Sequence, residues 1–151
     1  MTKYVATSYT RASLDPNNPA FQHPPKPIGP VYAAEQAQQL STEKNWVMAA
    51  DGAGMRRAVA SPLPVRVLGL TPIRSLLEQN AVVIAAEGGG IPVARGVGGV
   101  DGLSGVDAVI DKDLCSGLLA RELQADYLVI ATDVEAVFST GASPISGRWA
   151  R

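Results

Sequence analysis

The sequence predicts an α/β fold: a mostly parallel central sheet flanked by helices, with a small antiparallel subdomain beside it. Two patterns carry this expectation. From residue 71 onward, apolar runs of strand length alternate with stretches at helical spacing, as parallel strands joined by crossover helices require. Before residue 64, short β-rich runs are joined by strong turn signals instead. The length, 151 residues, is one domain's worth of chain and enough to bury a core. Residues 1–64 are expected to include the subdomain and residues 65–151 to form the α/β portion.

Taken in order, residues 4–10 mix aromatic, β-branched and small side chains and read as a strand. Residues 15–30, DPNNPAFQHPPKPIGP, hold six prolines, at positions 16, 19, 24, 25, 27 and 30. That density excludes a helix or a central strand. A disordered linker would have no Phe21 or Ile28 to bury, so an ordered loop is expected, carrying Lys26 and the single histidine, His23. Residues 33–40 are rich in Ala, Gln and Glu and predict a short helix. Residues 46–49 and 56–60 predict two strands joined across Asp51-Gly52-Ala53-Gly54. With residues 4–10 they are expected to make the antiparallel subdomain. Thr71 is expected to cap a helix with Pro72 in its first position and Ile73, Leu76 and Leu77 on one apolar face. Residues 81–86 predict a buried strand, residues 113–123 a helix, and residues 127–131 a further strand.

Composition narrows the function. Formal net charge is −1, so the chain has no basic field to draw nucleic acid or an anionic membrane. Small-molecule partners are expected. The 15 glycines and 11 prolines imply several tight loops, where ligands are usually held. Cys115 is the only cysteine, which excludes an internal disulfide and fits a reducing compartment; inside the predicted helix it is read as core. The apolar runs are too short to span a bilayer, and the first residues lack the apolar stretch of a secretory signal. A cytoplasmic protein is expected.

The stretch with the most chemistry is Asp111, Lys112 and Asp113. Asp113 is expected to cap the helix, and a helix start attracts anions because its free N–H groups and its dipole point the same way. Lys112 adds a full positive charge there, which makes phosphate the natural guest. Capping plus a solvated ion pair is the competing explanation. In open α/β sheets ligands sit beyond the carboxyl ends of the strands. Three stretches fall there: Gly88, Gly89 and Gly90; the Asp-Lys-Asp run; and Thr132, Asp133 and Val134. A glycine triplet lets backbone N–H groups approach an anion, although a turn explains it equally. Neither GxxxxGK[ST] nor GxGxxG is present.

Five segments, DPNNPAFQHPPKPIGPVY, DGAGMRR with ASPLP, AAEGGGIPV, GVDAVIDKDLCSGLLA and ADYLVIATDVEAV, resemble in order and spacing the internal motifs of carbamate kinases in the amino-acid kinase superfamily. The resemblance covers nearly the whole chain. It implies the amino-acid kinase fold and phosphoryl transfer between ATP and carbamate, giving ADP and carbamoyl phosphate, with Mg2+ carried by the nucleotide. It also implies a homodimer. Matched residue by residue, Lys112 resembles the lysine that meets the transferring phosphoryl and Asp113 the aspartate that organises the catalytic lysines. Lys26 resembles the substrate-side lysine of the protruding subdomain. Gly88, Gly89 and Gly90 match the glycine-rich turn beside the substrate, and Thr132, Asp133 and Val134 the nucleotide-side motif.

Glu87 stands where the family pattern usually has a fourth glycine, Pro25 where it has threonine, and Ala53 and Met55 where it has arginine and tyrosine. A carboxylate at Glu87 would repel an anionic substrate. The resemblance further implies a preceding segment with a first strand and phosphate loop, and a following one with another lysine; no lysine follows Lys112 here. Little or no turnover is therefore expected of these 151 residues by themselves. Two other readings remain: a kinase of the same superfamily acting on another small carboxylate, and a non-catalytic fragment or assembly partner.

Overall fold

A computed structural model describes residues 4–96, 102–131, 138–140 and 143–144. The first strand, β1 (Val5–Thr7), does not join the antiparallel subdomain as expected. It pairs in parallel with β7 (Val82–Ile84), Ala6 opposite Val83. The chain continues into β2 (Arg11–Leu14), which lies in a four-stranded sheet of order β6-β2-β8-β9. There β2 runs parallel to β8 (Ile91–Arg95) and antiparallel to β6 (Arg66–Leu68), while β9 (Leu103–Gly105) runs antiparallel to β8. The strand expected over residues 4–10 is thus shorter, covering residues 5–7, and a second strand in another sheet begins just after Thr10, which is buried.

The proline-rich segment is ordered. Asn18 accepts a hydrogen bond from the Ala20 amide (3.0 Å) and opens a short 3-10 turn, Pro19–Phe21, with Pro19 at its start. Phe21 packs against the main core, giving the segment the anchor its sequence suggested. The chain then forms β3 (Lys26–Tyr32), a strand where a loop was expected. Its position reconciles strand and proline: β3 is the edge of a three-stranded antiparallel sheet completed by β5 (Gly54–Val59) in the middle and β4 (Met48–Asp51) beyond it, where a missing N–H can face away from the ladder. The pairing shifts register between Ile28 and Tyr32, the stretch that contains Pro30.

The helix α1 (Ala34–Lys44) runs four residues further than expected and ends at Asn45, which adopts the left-handed conformation that stops a helix. Trp46 follows, with the Lys44 and Arg57 cations 4.8 Å and 4.6 Å from its ring centre. The predicted hairpin is present as β4 (Met48–Asp51) and β5 (Gly54–Val59) around Gly52-Ala53.

The helix α2 (Leu70–Glu78) is entered from Gly69, not capped by Thr71. Gly69 has a φ of 90°, which lets the chain turn directly out of β6 and start the helix one residue before Thr71. Pro72 still lies in the first turn, where its missing N–H has no helical partner to lose. Ile73 is buried, whereas Leu77 is 43% exposed.

The core is formed by Ala12, Leu14, Val67, Ala86, Ile110, Cys115 and Leu118, which joins β2 and β6 to α3 (Lys112–Leu123). Two expected strands depart from the sequence reading. In β7, Val82 and Ile84 are 46% and 47% exposed, so this strand is only half covered. Residues 127–131 form no strand ladder, and Tyr127 and Val129 are 89% and 86% exposed. An apolar β-branched run becomes a strand only when a neighbour accepts its ladder, and among the described residues none does. Two short strands, β10 (Phe138–Thr140) and β11 (Ser143–Pro144), pair antiparallel with each other. No described helix is long and apolar enough to cross a membrane.

Candidate functional site

Two turns meet at the site. The first follows β7. Ala86 has a φ of 57° and leads into a 3-10 turn, Glu87–Gly89, followed by Gly90; the three glycines have φ of 58°, 109° and 83°. All three lie in the region that side chains other than glycine rarely adopt. Gly89 is also sterically required: a Cβ there would fall on the Ile110 carbonyl oxygen. At Gly90 a Cβ would lie 3.0 Å from the Thr10 carbonyl oxygen, whereas at Gly88 it would meet open space. The glycine turn is therefore pressed against the residue immediately before the Asp-Lys-Asp run.

Thr10 fastens that turn at both ends. Its hydroxyl oxygen accepts from the Ala86 amide (2.8 Å) and its carbonyl from the Ile91 amide (2.8 Å), while the hydroxyl donates to the Ser8 carbonyl (3.1 Å). A buried polar side chain needs such partners. In the sequence Thr10 is one β-branched residue among several, and only its burial between two strands sets it apart.

The second turn starts α3. The cap is Asp111, not Asp113: Asp111 Oδ1 accepts from the amides of Asp113 (2.9 Å) and Leu114 (3.3 Å). Asp113 lies instead in the first turn, where a carboxylate also suits the helix dipole. Its Oδ1 accepts from Lys112 Nζ at 2.8 Å, with the two side chains 49% and 69% exposed. That neighbour carboxylate holds the Lys112 ammonium above its ordinary range.

The free oxygen of Asp111 makes the long-range contact of the site. Lys26 Nζ lies 2.9 Å from Asp111 Oδ2, across 85 residues of sequence. The Lys26 ammonium, helped by the capping amides, pulls the Asp111 carboxyl below its usual value. Asp113 holds Lys112, and Asp111 holds Lys26. Asp111 was missed as a site residue because either acid can cap a helix in a D-x-D run; an acid preferred within the first turn was the available signal for the earlier cap.

The fold thus gathers Lys26, Asp111, Lys112 and Asp113 at one helix start, with Gly89 packed behind it at Ile110. Glu87 is exposed. A cleft of about 410 Å3 runs from Asp113 along α3 between Leu63, Pro64, Leu114 and Arg121. Thr132, Asp133 and Val134 lie outside the described residues. Beside the glycine turn, two ammonium groups lie at one helix start, each paired with a carboxylate, and their remaining N–H groups can meet a small, highly charged anion such as a phosphoryl group.

The sequence pattern of the Amino acid kinase family matches residues 21–147. The chain belongs to the amino acid kinase family. Among curated relatives in this family, the carbamate kinase of Rhizobium meliloti is 52% identical over 140 residues, which are 93% of this chain and 43% of that protein. The carbamate kinase of Haemophilus influenzae is 51% identical over 139 residues, 92% of this chain and 44% of that protein. The chain thus spans less than half the length of the curated relatives it matches. Of solved amino acid kinase family structures, carbamate kinase from Giardia lamblia bound to AMP-PNP superposes with a TM-score of 0.71 at 40% identity, covering 87% of this chain and 42% of that one. The same enzyme bound to citric acid gives 0.77 at 40% identity over 86% of this chain and 42% of that one.

Proposed function

We propose that this chain carries part of the active site of a carbamate kinase, a phosphotransferase that exchanges a phosphoryl group between ATP and carbamate to give ADP and carbamoyl phosphate. The observation that supports this best is the joining of Lys26 to the α3 start through Asp111 (2.9 Å) beside the Lys112–Asp113 pair. In phosphoryl transfer the protein mainly positions the reactants and stabilises charge. Lys112 meets the transferring phosphoryl, Asp113 holds Lys112, and Lys26 faces the substrate side. Gly88, Gly89 and Gly90 border the substrate, and Thr132, Asp133 and Val134 the nucleotide.

The likeness to carbamate kinases at about half identity supports carbamate over another small carboxylate. Magnesium would arrive on the nucleotide phosphates, where it neutralises charge in phosphoryl transfer. A cytoplasmic homodimer belongs to the same reading, and light scattering tests its dimer.

Turnover is tested by ATP formation from ADP and carbamoyl phosphate on the purified chain, and binding by protection of Lys26 and Lys112 from amine-reactive label. Protection with weak turnover is the expected result. Absence of both protection and ATP formation would remove the reading. Protection by carbamoyl phosphate with no ATP at any enzyme concentration would favour a non-catalytic binding partner.

A further inference from the structure

We propose that Asp111 is a positioning residue whose two carboxylate oxygens divide their work, Oδ1 capping α3 and Oδ2 bringing the Lys26 ammonium to that helix start. The role of Lys26 toward a phosphoryl group rests on the function proposed above; the placement of Lys26 by Asp111 does not.

Backbone constraint and side-chain freedom argue for this division. Lys26 is the first residue of the edge strand β3 and sits between Pro25 and Pro27, whose rings narrow the backbone on both sides. What remains free is its long side chain, whose rotamer freedom opposes any fixed position. The Asp111 contact at 2.9 Å is the one hydrogen-bonded partner of Nζ among the described residues. Lys112 differs, because its partner Asp113 is its own neighbour and that pair carries no information about the rest of the fold.

Charge gives the contact a consequence. Lys26, Lys112, Asp111 and Asp113 sum to zero, so an anion at this helix start is attracted only if the ammonium groups are aimed at it. Oδ2 accepts one of the three N–H groups of Lys26, leaving two for an anion. A cap alone would need only the single oxygen that Ser also provides.

That difference supplies the test. In Asp111→Ser the hydroxyl keeps a capping acceptor and loses the oxygen that reaches Lys26. On the full chain, labelling with an amine-reactive acylating reagent read by mass spectrometry should show Lys26 reacting about two- to fivefold faster than in the wild type, the range of an exposed pair. Lys112, held chiefly by Asp113 and only weakly by the Asp111 charge, should change much less. Equal Lys26 reactivity in the two proteins would overturn the inference, whatever the activity of the chain. Faster Lys26 labelling, with no protection of either lysine by carbamoyl phosphate in the wild type, would support the positioning role and sink the phosphoryl-transfer reading instead. If Asp111→Ser fails to fold, Lys26→Met leaves the cap whole; the Asp111 carboxyl, followed by 13C NMR, should then titrate at a higher pH, and an unmoved titration would overturn the inference.

Discussion

The hydroxyl oxygen of Thr10 accepts a hydrogen bond from the Ala86 amide at 2.8 Å, so a residue between β1 and β2 fixes the entry to a glycine turn 76 positions later. Its backbone carbonyl takes the Ile91 amide at the exit of the same turn. The shape of the turn is therefore set from outside.

Thr10→Val keeps the side-chain volume and removes the acceptor, leaving the buried Ala86 N–H unpaired. The expected cost is about 1–3 kcal/mol, read as a lower denaturant midpoint with an unchanged slope. Thr10→Ser should recover most of it. Equal stability of the Val variant and the wild type would show that the turn does not depend on this bond.

Gly89→Ala should destabilise more than Gly88→Ala. Both residues have positive φ, which costs an alanine about 1–3 kcal/mol, but only at Gly89 does the new methyl strike the Ile110 carbonyl. Because Ile110 precedes Asp111, the shift should also reach the α3 start. Thermal unfolding of the two variants checks the order; the reverse order would disprove the close packing.

The pH dependence follows from Asp111. Its carboxyl titrates below the ordinary value of 3.8 in the folded chain, chiefly through the Lys26 hydrogen bond, then the capping amides, against some burial. Such a group contributes its full stability above the unfolded value and loses it as pH falls through the folded one. The midpoint difference between wild type and Asp111→Asn, whose amide still caps, should thus be constant near neutrality and shrink once the pH drops below 3.8. A difference that persists in strong acid would mean the contribution is not electrostatic.

Lys112→Ala separates folding from chemistry. The side chain is 69% exposed, so stability should change by no more than about 0.5 kcal/mol. Under the proposed function, kcat should fall by about a hundredfold or more, the scale of losing one preorganised charge-stabilising group, with ADP affinity retained. An unchanged kcat in a chain that turns over would remove Lys112 from the mechanism.

Cys115 is fully buried, and burial together with the Glu122 charge pushes its thiol up. The native chain should react with a thiol-specific disulfide reagent only as fast as it unfolds, and at once in denaturant. Rapid native labelling would contradict the packing of α3 on β2 and β6.

The sequence alone was enough to place the α/β class, the hairpin about Gly52-Ala53 and the helix beginning in the Asp-Lys-Asp run. These rest on local physics: turn chemistry, hydrophobic period and helix-start preference act within a few residues. Tertiary structure decided which acid serves which lysine, because only the fold brings Lys26 from β3 to the free oxygen of Asp111. It also placed β1 and β2, on either side of Thr10, in different sheets and turned a proline-rich loop into an edge strand, since strand pairing depends on a neighbour remote in sequence. Residues 127–131 show the same dependence in reverse. Their β-branched and aromatic side chains favour a strand, yet a ladder needs a second backbone, and the described part of the chain offers none.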